Sequence, residues 1–232
     1  IDNNLSVAVL GNADIGLEYS DLNRNISLIA MDSLGRIEDG NIDDINIEDK
    51  TMPYGIRTDY TKLVLETKKY YDNKDVLFIE LGDTTRLNSY KSVLNEKTFS
   101  TMKKSIYKNI DTYLKAVFSL VNSNDTIYIV SPTVSTLDSS QNKRLAPVIK
   151  FDGNGKGLLC SATTRRDGIV ANVDISSDIL NKYHIDDGSF VGKVFKYSQI
   201  EDNIDYLKKD FNKIVSMTNM RSTVVTIFVS II

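Results

Sequence analysis

Cysteine and histidine are nearly missing from this chain of 232 residues, which contains one of each. A single cysteine, Cys160, excludes an internal disulfide and any cysteine-rich zinc module. Cys160 opens a Cys-x5-Arg spacing like that of cysteine phosphatases, but its loop holds no glycine and no histidine lies beside it. We therefore interpret Cys160 as a small buried thiol and not as a nucleophile. The single histidine, His184, follows a predicted helix and is interpreted as a helix-end residue.

A basic surplus is also absent, since 28 Lys and Arg face 31 Asp and Glu for a net charge of -3. Nucleic-acid binding needs clustered basic charge, so no nucleic-acid partner is expected. Neither a Walker A loop nor a G-x-G-x-x-G motif occurs. Residues 32–49 concentrate acidic side chains between Gly and Asn residues, and this composition predicts a solvated loop.

A calcium-loop motif is present only in part. Residues 152–157 read DGNGKG and begin like such a loop, but Lys156 and Thr163 occupy positions that need oxygen ligands. We interpret the segment as a turn.

Apolar runs alternate with segments of helical periodicity. The runs predict buried parallel strands at 5–10, 75–81, 126–130 and 145–151. The periodicity predicts helices at 58–71, 97–121, 174–183 and 199–215, and residues 26–31 fit either a short strand or the start of a helix. This alternation indicates an α/β fold with a mostly parallel central sheet flanked by helices.

Ligands of such sheets bind beyond the carboxyl ends of the strands. In this sequence the rule indicates residues 12–14, 83–86 and 131–135.

A resemblance emerges from several motifs read together. Residues 145–159 (LAPVIKFDGNGKGLL) lead into 160–168 (CSATTRRDG) and then 169–180 (IVANVDISSDIL), and 80–86 (ELGDTTR) and 131–133 (SPT) add further matches. These stretches resemble a family of bacterial membrane proteins whose extracytoplasmic domain belongs to the alkaline-phosphatase superfamily. The resemblance covers about residues 75–185 and implies an alkaline-phosphatase-like fold. It assigns residues 1–222 to that domain.

The resemblance also implies a nucleophilic Ser or Thr and two divalent metal ions, held by several carboxylates and typically three histidines. By proximity to a strand end, Asp14 with Ser20, or Asp32 with Ser33, are candidates for the first metal ligand and the nucleophile. One histidine cannot complete a site of that composition.

An all-oxygen site for Mg²⁺ or Mn²⁺ from Asp14, Asp83 and Asp174 is the alternative. Asp174 is also expected to cap a helix.

Two hypotheses follow. The favoured one is a non-catalytic, degenerate phosphatase-like domain without a cofactor, facing the extracytoplasmic side of the cell membrane, that binds a ligand or scaffolds a membrane protein. The other is a divergent metal-dependent phosphohydrolase or phosphotransferase with carboxylate-only metal ligands. The candidate ligand-binding residues are Asn12, Asp83, Thr84, Arg86, Thr164, Arg165 and Arg166.

Arg165 and Arg166 stand beside two threonine hydroxyls, a combination that suits the phosphate or carboxylate of a small anionic ligand. The alternative is that Arg165 pairs with a structural carboxylate such as Asp83 or Asp167.

The last ten residues, 223–232, read TVVTIFVSII. They form about half of the twenty residues that a spanning helix needs. Lysines at 208, 209 and 213 and Arg221 precede them, as interface-anchoring residues do. The run is expected to start a transmembrane helix, and the rival interpretation is a buried strand, which its β-branched residues favour.

Overall fold

The computed structural model describes residues 5–16, 18–32, 34–153, 155–185, 188 and 190–231. The chain divides into two compact units, Ile1–Val121 and Asn122–Ile232. The predicted α/β class is confirmed: a three-stranded parallel sheet, small antiparallel sheets and helices make up the fold.

The described residues of the first unit form five strands and four α-helices. The strands are β1 (Val7–Leu10), β2 (Asp39–Asn41), β3 (Asn46–Glu48), β4 (Ile56–Thr58) and β5 (Val76–Ile79). The helices are α1 (Ser27–Ala30), α2 (Tyr60–Tyr71), α3 (Asp83–Ser89) and α4 (Glu96–Phe118), with short 3-10 turns at Tyr19–Asp21, Pro53–Gly55 and Lys91–Val93.

Strand β1 is the centre of the parallel sheet, between β2 and β5. Val7 pairs with Val76, and Ala8 pairs with both Leu77 and Asp39. β3 and β4 form a separate antiparallel pair. The predicted strands at 5–10 and 75–81 are therefore confirmed as parallel neighbours.

Side chains alternate along β1 between two apolar clusters. Ala8 and Leu10 pack with Leu63 of α2 and Tyr113 of α4, and these four side chains are fully or almost fully buried. Val7 and Val9 face the other side, where Ala30 of α1 covers them. The core of the first unit thus lies on both faces of its sheet.

Polar caps fix where the two long helices of this unit begin. The Asp59 carboxylate accepts hydrogen bonds from the backbone N–H groups of Thr61 and Lys62, each at 3.0 Å. The Asn95 side chain accepts one from Thr98 N–H at 2.9 Å. Each cap satisfies N–H groups that have no partner within the helix.

In the second unit, the residues that the structure describes form four strands and three helices. They are β6 (Ile127–Val130), β7 (Val148–Phe151), β8 (Leu158–Cys160), β9 (Lys196–Ser198), α5 (Thr136–Ser140), α6 (Asn172–Lys182) and α7 (Asn203–Ile231). β6 pairs with β7 and β8 with β9, both antiparallel. The predicted turn at 152–157 joins β7 to β8, with Asn154 outside the described residues.

The expectation that the parallel sheet continues through residues 126–151 is wrong for β6 and β7. Parallel neighbours need a crossover connection, usually a helix that runs back along the strands. Between β6 and β7 only the five-residue α5 is helical. A connection of this kind suits an antiparallel pair.

Residues 32–49, the acidic stretch, were predicted to form a solvated loop. The structure shows that they also contain β2 and β3. Cations from elsewhere in the unit neutralise part of its charge. Lys74 Nζ lies 2.6 Å from an Asp39 carboxylate oxygen and 3.3 Å from one of Glu38. These pairs let an acidic strand lie at the edge of the sheet.

Helix α7 begins at Asn203 and runs unbroken to Ile231, so residues 223–231 are helical and the interpretation as a strand is wrong. No glycine or proline interrupts the helix. The β-branched residues therefore continue a helix that is already formed, and propagation is far easier than nucleation.

Candidate functional site

The carboxyl ends of β1 and β5 bring two loops into contact, as the strand-end rule predicts. Gly82 makes this approach possible, because a Cβ atom there would lie 2.1 Å from the Asn12 carbonyl oxygen. Any other residue at position 82 would force the loops apart. The contact places Asn12 next to the start of α3.

Arg86 and Asp83 form a buried ion pair at this contact. Arg86 Nη2 lies 2.8 Å from Asp83 Oδ1, and both side chains are only 1% exposed. Nη1 of Arg86 donates to the carbonyl oxygens of Asn12 at 3.4 Å and Asp14 at 3.1 Å. The guanidinium thus joins α3 to the loop after β1.

Thr58 and Tyr60 make further hydrogen bonds to this pair. Asp83 accepts hydrogen bonds from Thr58 N–H and from the Tyr60 hydroxyl, each at 3.0 Å. Arg86 Nη2 also donates to Thr58 Oγ1 at 2.8 Å. Burial and the nearby Asp83 charge raise the pKa of Tyr60, so the hydroxyl keeps its proton and remains a donor. We call Asn12, Asp14, Thr58, Tyr60, Asp83 and Arg86 the strand-end cluster.

The carboxylate of Asp14, a candidate metal ligand, is already bound by residues next to this cluster. Its carboxylate accepts from Asn23 N–H at 2.7 Å and from Arg24 Nη2 and Nε at 3.1 and 3.2 Å. Ser20, the nucleophile candidate linked with Asp14, lies in an exposed 3-10 turn, and its hydroxyl donates to Asp21 at 3.5 Å.

Of the second pair of candidates, Asp32 and Ser33, the structure describes Asp32. Asp32 holds Arg36 in a local ion pair at 2.8 Å, and Ser33 lies outside the described residues.

Glu80 lies between β5 and the strand-end cluster, and sequence reasoning did not single it out as a functional residue. Its Oε2 atom is buried and accepts no hydrogen bond from the described residues. Burial raises the pKa of Glu80, and the nearby Asp14 charge adds to this, while the positive charge of Arg86 acts in the opposite direction. The folded state therefore holds a proton on Glu80 more tightly than the unfolded state does.

Glu80→Gln is expected to raise the free energy of unfolding at pH 7 by less than about 1 kcal/mol, because solvent screens part of the effect on this incompletely buried group. Above its ordinary pKa of 4.5, the Glu80 side chain is ionised in the unfolded state, and burial disfavours the same charge in the folded state. The free energy of unfolding of the natural chain therefore falls as the pH rises through the raised pKa. Glutamine removes that cost. Below pH 4 both proteins carry a neutral group and should be equally stable.

Urea denaturation at pH 3.5 and pH 7 measures this difference, with Glu48→Gln, at an exposed position of β3, as the control. Equal stabilities of Glu80→Gln and the natural chain at pH 7 would contradict the expectation.

The remaining ligand candidates lie in different surroundings. Thr84, in the first turn of α3, is half-buried, and its hydroxyl lies 3.5 Å from the Leu81 carbonyl oxygen. Thr164, Arg165 and Arg166 belong to the second unit. The Thr164 hydroxyl donates to the Ile169 carbonyl oxygen at 2.5 Å.

The two neighbouring arginines of that unit differ from each other. Arg166 Nη2 lies 2.7 and 2.9 Å from the two carboxylate oxygens of Asp210 in α7. Arg165 is exposed, and within the described ranges its side chain makes no ion pair. The alternative that Arg165 pairs with Asp83 or Asp167 is therefore wrong, and Asp83 pairs with Arg86 instead.

Asp174 is fully buried and accepts four hydrogen bonds. Its donors are the hydroxyls of Ser161 at 2.6 Å and Thr163 at 2.5 Å and the N–H groups of Ala171 at 2.8 Å and Lys193 at 2.9 Å. Burial alone would raise its pKa, but these bonds outweigh burial and lower it. The bond to Ala171 N–H caps the start of α6 as expected, but from the third residue of the helix, because α6 begins at Asn172 and not at Asp174.

A second polar cluster, around Lys150, was not foreseen. Its ammonium group lies 2.7 Å from Asp178 and 3.2 Å from Asp152, with the ring centroids of Tyr128 and Tyr197 each 5.7 Å away. Burial alone lowers the pKa of Lys150, but Asp178 and then Asp152 raise it, so the cation persists. Its members come from β6, β7, β9 and α6, and no local sequence pattern connects them.

Cys160 and His184 complete the candidates. Cys160 lies in β8, half-buried, and is therefore less buried than predicted. Its pairing with β9 differs from the phosphate-binding loop of a cysteine phosphatase. His184 directly follows the α6 cap residue with φ 56, so it is the predicted helix-end residue.

Within the part of the chain that the structure describes, no three His, Cys, Asp or Glu side chains converge in a way that could hold a metal ion. Among the helices of the same residues, none combines the length and the apolarity needed to cross a bilayer.

The chain matches no protein-family model, no curated protein and no solved structure.

Proposed function

We propose that the chain is a non-catalytic domain with a degenerate alkaline-phosphatase-like fold. It faces the extracytoplasmic side of a bacterial cell membrane. There it scaffolds a membrane protein or binds a small anionic ligand for that protein. The observation that carries the non-catalytic part is the strand-end cluster. Its charged groups bind one another, as in the Asp83–Arg86 pair with both side chains 1% exposed.

Catalysis at this edge of the sheet would need a nucleophile, base or metal ligand that can reach a substrate. Asp83 is surrounded by donors from Thr58, Tyr60 and Arg86. Asp14 is held in the same way by Arg24. Removing either carboxylate from its partner would leave an unpaired buried charge, which is expensive. These groups suit a rigid scaffold.

The proposed anionic ligand would meet the second unit at Arg165. This guanidinium is exposed, while Arg166 next to it is engaged with Asp210. Arginine binds phosphate and carboxylate groups with charge-assisted hydrogen bonds.

The proposed membrane location is supported by the end of α7. Val224, Val225 and Ile227 are exposed by 61%, 53% and 54%, and no charged residue follows Arg221. An exposed apolar helix segment of this kind favours contact with lipid or with a membrane helix.

A divergent Mg²⁺- or Mn²⁺-dependent phosphohydrolase is the second candidate, and Glu80 is the observation that favours it. A buried carboxylate oxygen without a hydrogen-bond donor, close enough to Asp14 for their charges to interact, is the type of ligand that these ions prefer. Arg24 and Arg86 place positive charge in the same region and oppose a cation there.

Hydrolysis of p-nitrophenyl phosphate by the full chain, with added Zn²⁺, Mg²⁺ or Mn²⁺, separates the two candidates. We expect no turnover above the blank with any of the three ions. Turnover that a chelator abolishes and one ion restores would contradict the proposal. A doubly substituted Asp14→Asn, Glu80→Gln chain, purified in the same way, controls for a contaminating phosphatase, which would survive both substitutions.

A further inference from the structure

The loop between β8 and α6 contains the motif that best resembles a ligand cradle, but its groups bind the protein itself. We call residues 161–169 the bracket loop. Ser161 and Thr163 donate their hydroxyl hydrogens to Asp174, and Thr164 donates to Ile169. Its threonine hydroxyls are therefore already engaged in holding the loop in shape.

The backbone of the bracket loop is folded tightly. Arg165 N–H donates to the Ser161 carbonyl oxygen at 3.0 Å, and Gly168 N–H donates to that of Leu159 at 2.9 Å. Arg165 adopts φ 54, in the left-handed region that side chains rarely occupy. This turn directs the two neighbouring arginines to different surroundings.

Helix α7 meets the bracket loop at two points. Both carboxylate oxygens of Asp210 accept from Arg166 Nη2. One helical turn earlier, Leu207 lies so close to Gly168 that a Cβ atom there would be 2.5 Å from Leu207 Cδ2. A side chain at position 168 would therefore displace the Leu207 side chain, and the positive φ of 75° at Gly168 further favours glycine there. The apolar contact and the ion pair lie one turn apart on α7.

A third contact lies further along the helix, where Asn142 Nδ2 donates to Asn219 Oδ1 at 2.8 Å. Beyond it, the side chains of α7 whose surroundings the structure describes are exposed. Three contacts at residues 207, 210 and 219 are enough to fix the direction of a helix, because two points define its axis and the third limits its rotation.

We propose that the bracket loop is a docking socket for α7, and that Arg166 and Gly168 set the direction in which the helix leaves the second unit. The network through Asp174 connects α6 to the socket. A mechanical force on the exposed end of α7 would thus be transmitted to α6 through Asp210, Arg166 and the bracket loop. Arg166 is a positioning residue in this arrangement, and the inference does not depend on the proposed function.

Hydrogen–deuterium exchange of the full chain tests the socket, read from peptides that cover residues 203–215. An undocked helix of this kind is only marginally stable, so its amides exchange faster. We expect Arg166→Ala to accelerate exchange of these amides about fivefold, equivalent to about 1 kcal/mol for a well-oriented surface pair. Raising the salt concentration should accelerate exchange in the natural chain and have little effect on the variant.

Arg165→Ala is the matched control, since it removes a neighbouring exposed guanidinium that has no ion pair with the described residues. Its exchange should equal that of the natural chain. The charge-exchanged pair Arg166→Asp with Asp210→Arg should recover most of the protection, and Gly168→Val should lose it without any change of charge.

Equal exchange in Arg166→Ala and Arg165→Ala, or no recovery in the charge-exchanged pair, would overturn the proposal. If Arg166→Ala does not fold, Asp210→Asn removes the same ion pair from the helix side and must show the same acceleration.

Discussion

Replacing Arg86 with methionine is expected to lower the free energy of unfolding by about 3–5 kcal/mol. Methionine fills much of the same space but leaves the Asp83 carboxylate buried without its counter-charge. Two carbonyl oxygens, those of Asn12 and Asp14, also lose their donor. A loss of this size exceeds what removing an ordinary side chain costs.

Urea denaturation followed by circular dichroism measures the effect. Arg36→Met is the control, because Arg36 is 71% exposed and its pair with Asp32 should contribute less than about 1 kcal/mol. The double variant Asp83→Asn, Arg86→Met removes both charges and should recover part of the stability. If Arg86→Met costs no more than Arg36→Met, the cluster does not stabilise the loops as described.

Replacing Asp174 with alanine is the second large expected loss, about 3 kcal/mol at pH 7. The substitution removes the acceptor that four donors share. Two of these donors are the backbone N–H groups of Ala171 and Lys193, which anchor the start of α6 and the segment before β9. The remaining donors, Ser161 and Thr163, can turn toward other acceptors more easily.

The pH dependence identifies the carboxylate as the cause. Hydrogen bonds lower the pKa of Asp174 below the ordinary 3.8, so its contribution is complete above that value and is lost as the pH falls through the lowered pKa. The difference between Asp174→Ala and the natural chain should therefore shrink in acid. Asp167→Ala, at an exposed position of the same loop, should show neither the loss nor its pH dependence. A difference that stays constant down to pH 2 would refute this explanation.

The strands that could be predicted are those whose pairing depends on apolar side chains. β1 and β5 are continuous apolar runs, and burial on both sheet faces requires such runs. β2 reads DGN and gives no such signal, because its backbone hydrogen bonds to β1 need no apolar side chain. Lys74, far away in the sequence, neutralises its charge.

The same distinction applies to the candidate site. Asn12, Asp83 and Arg86 could be found because each follows a buried strand at the edge where ligands usually bind. Tyr60 and Thr58 could not, since their role depends on where β4 and α2 place them. Arg165 and Arg166 are neighbours of the same type, and among the described residues only Arg166 forms an ion pair, with Asp210 of α7. Sequence alone could not tell the two apart.

The end of α7 shows a different limit of predicting secondary structure from the sequence. Residues 223–231 have a composition that suits strands, and local propensity is a weak prior when a helix is already under way. The amphipathic segment before them was predicted as a helix, and the apolar run was expected to start a transmembrane helix. What was not predicted is that residues 216–222 join the two into one unbroken helix.

The order of strands in the parallel sheet has a consequence for how the chain is made. β1 leaves the ribosome first, but its two neighbours come much later, since Ala8 pairs with Asp39 and Val7 with Val76. Until residue 79 has been synthesised, the apolar strand VAVL has an unpaired edge, and the face that Tyr113 helps to cover stays incomplete until α4 follows. Non-local parallel pairing of this kind is slow, and unpaired edges of nascent strands invite association with other chains. The strand at the centre of the finished sheet is thus the one that waits longest for its partners during synthesis.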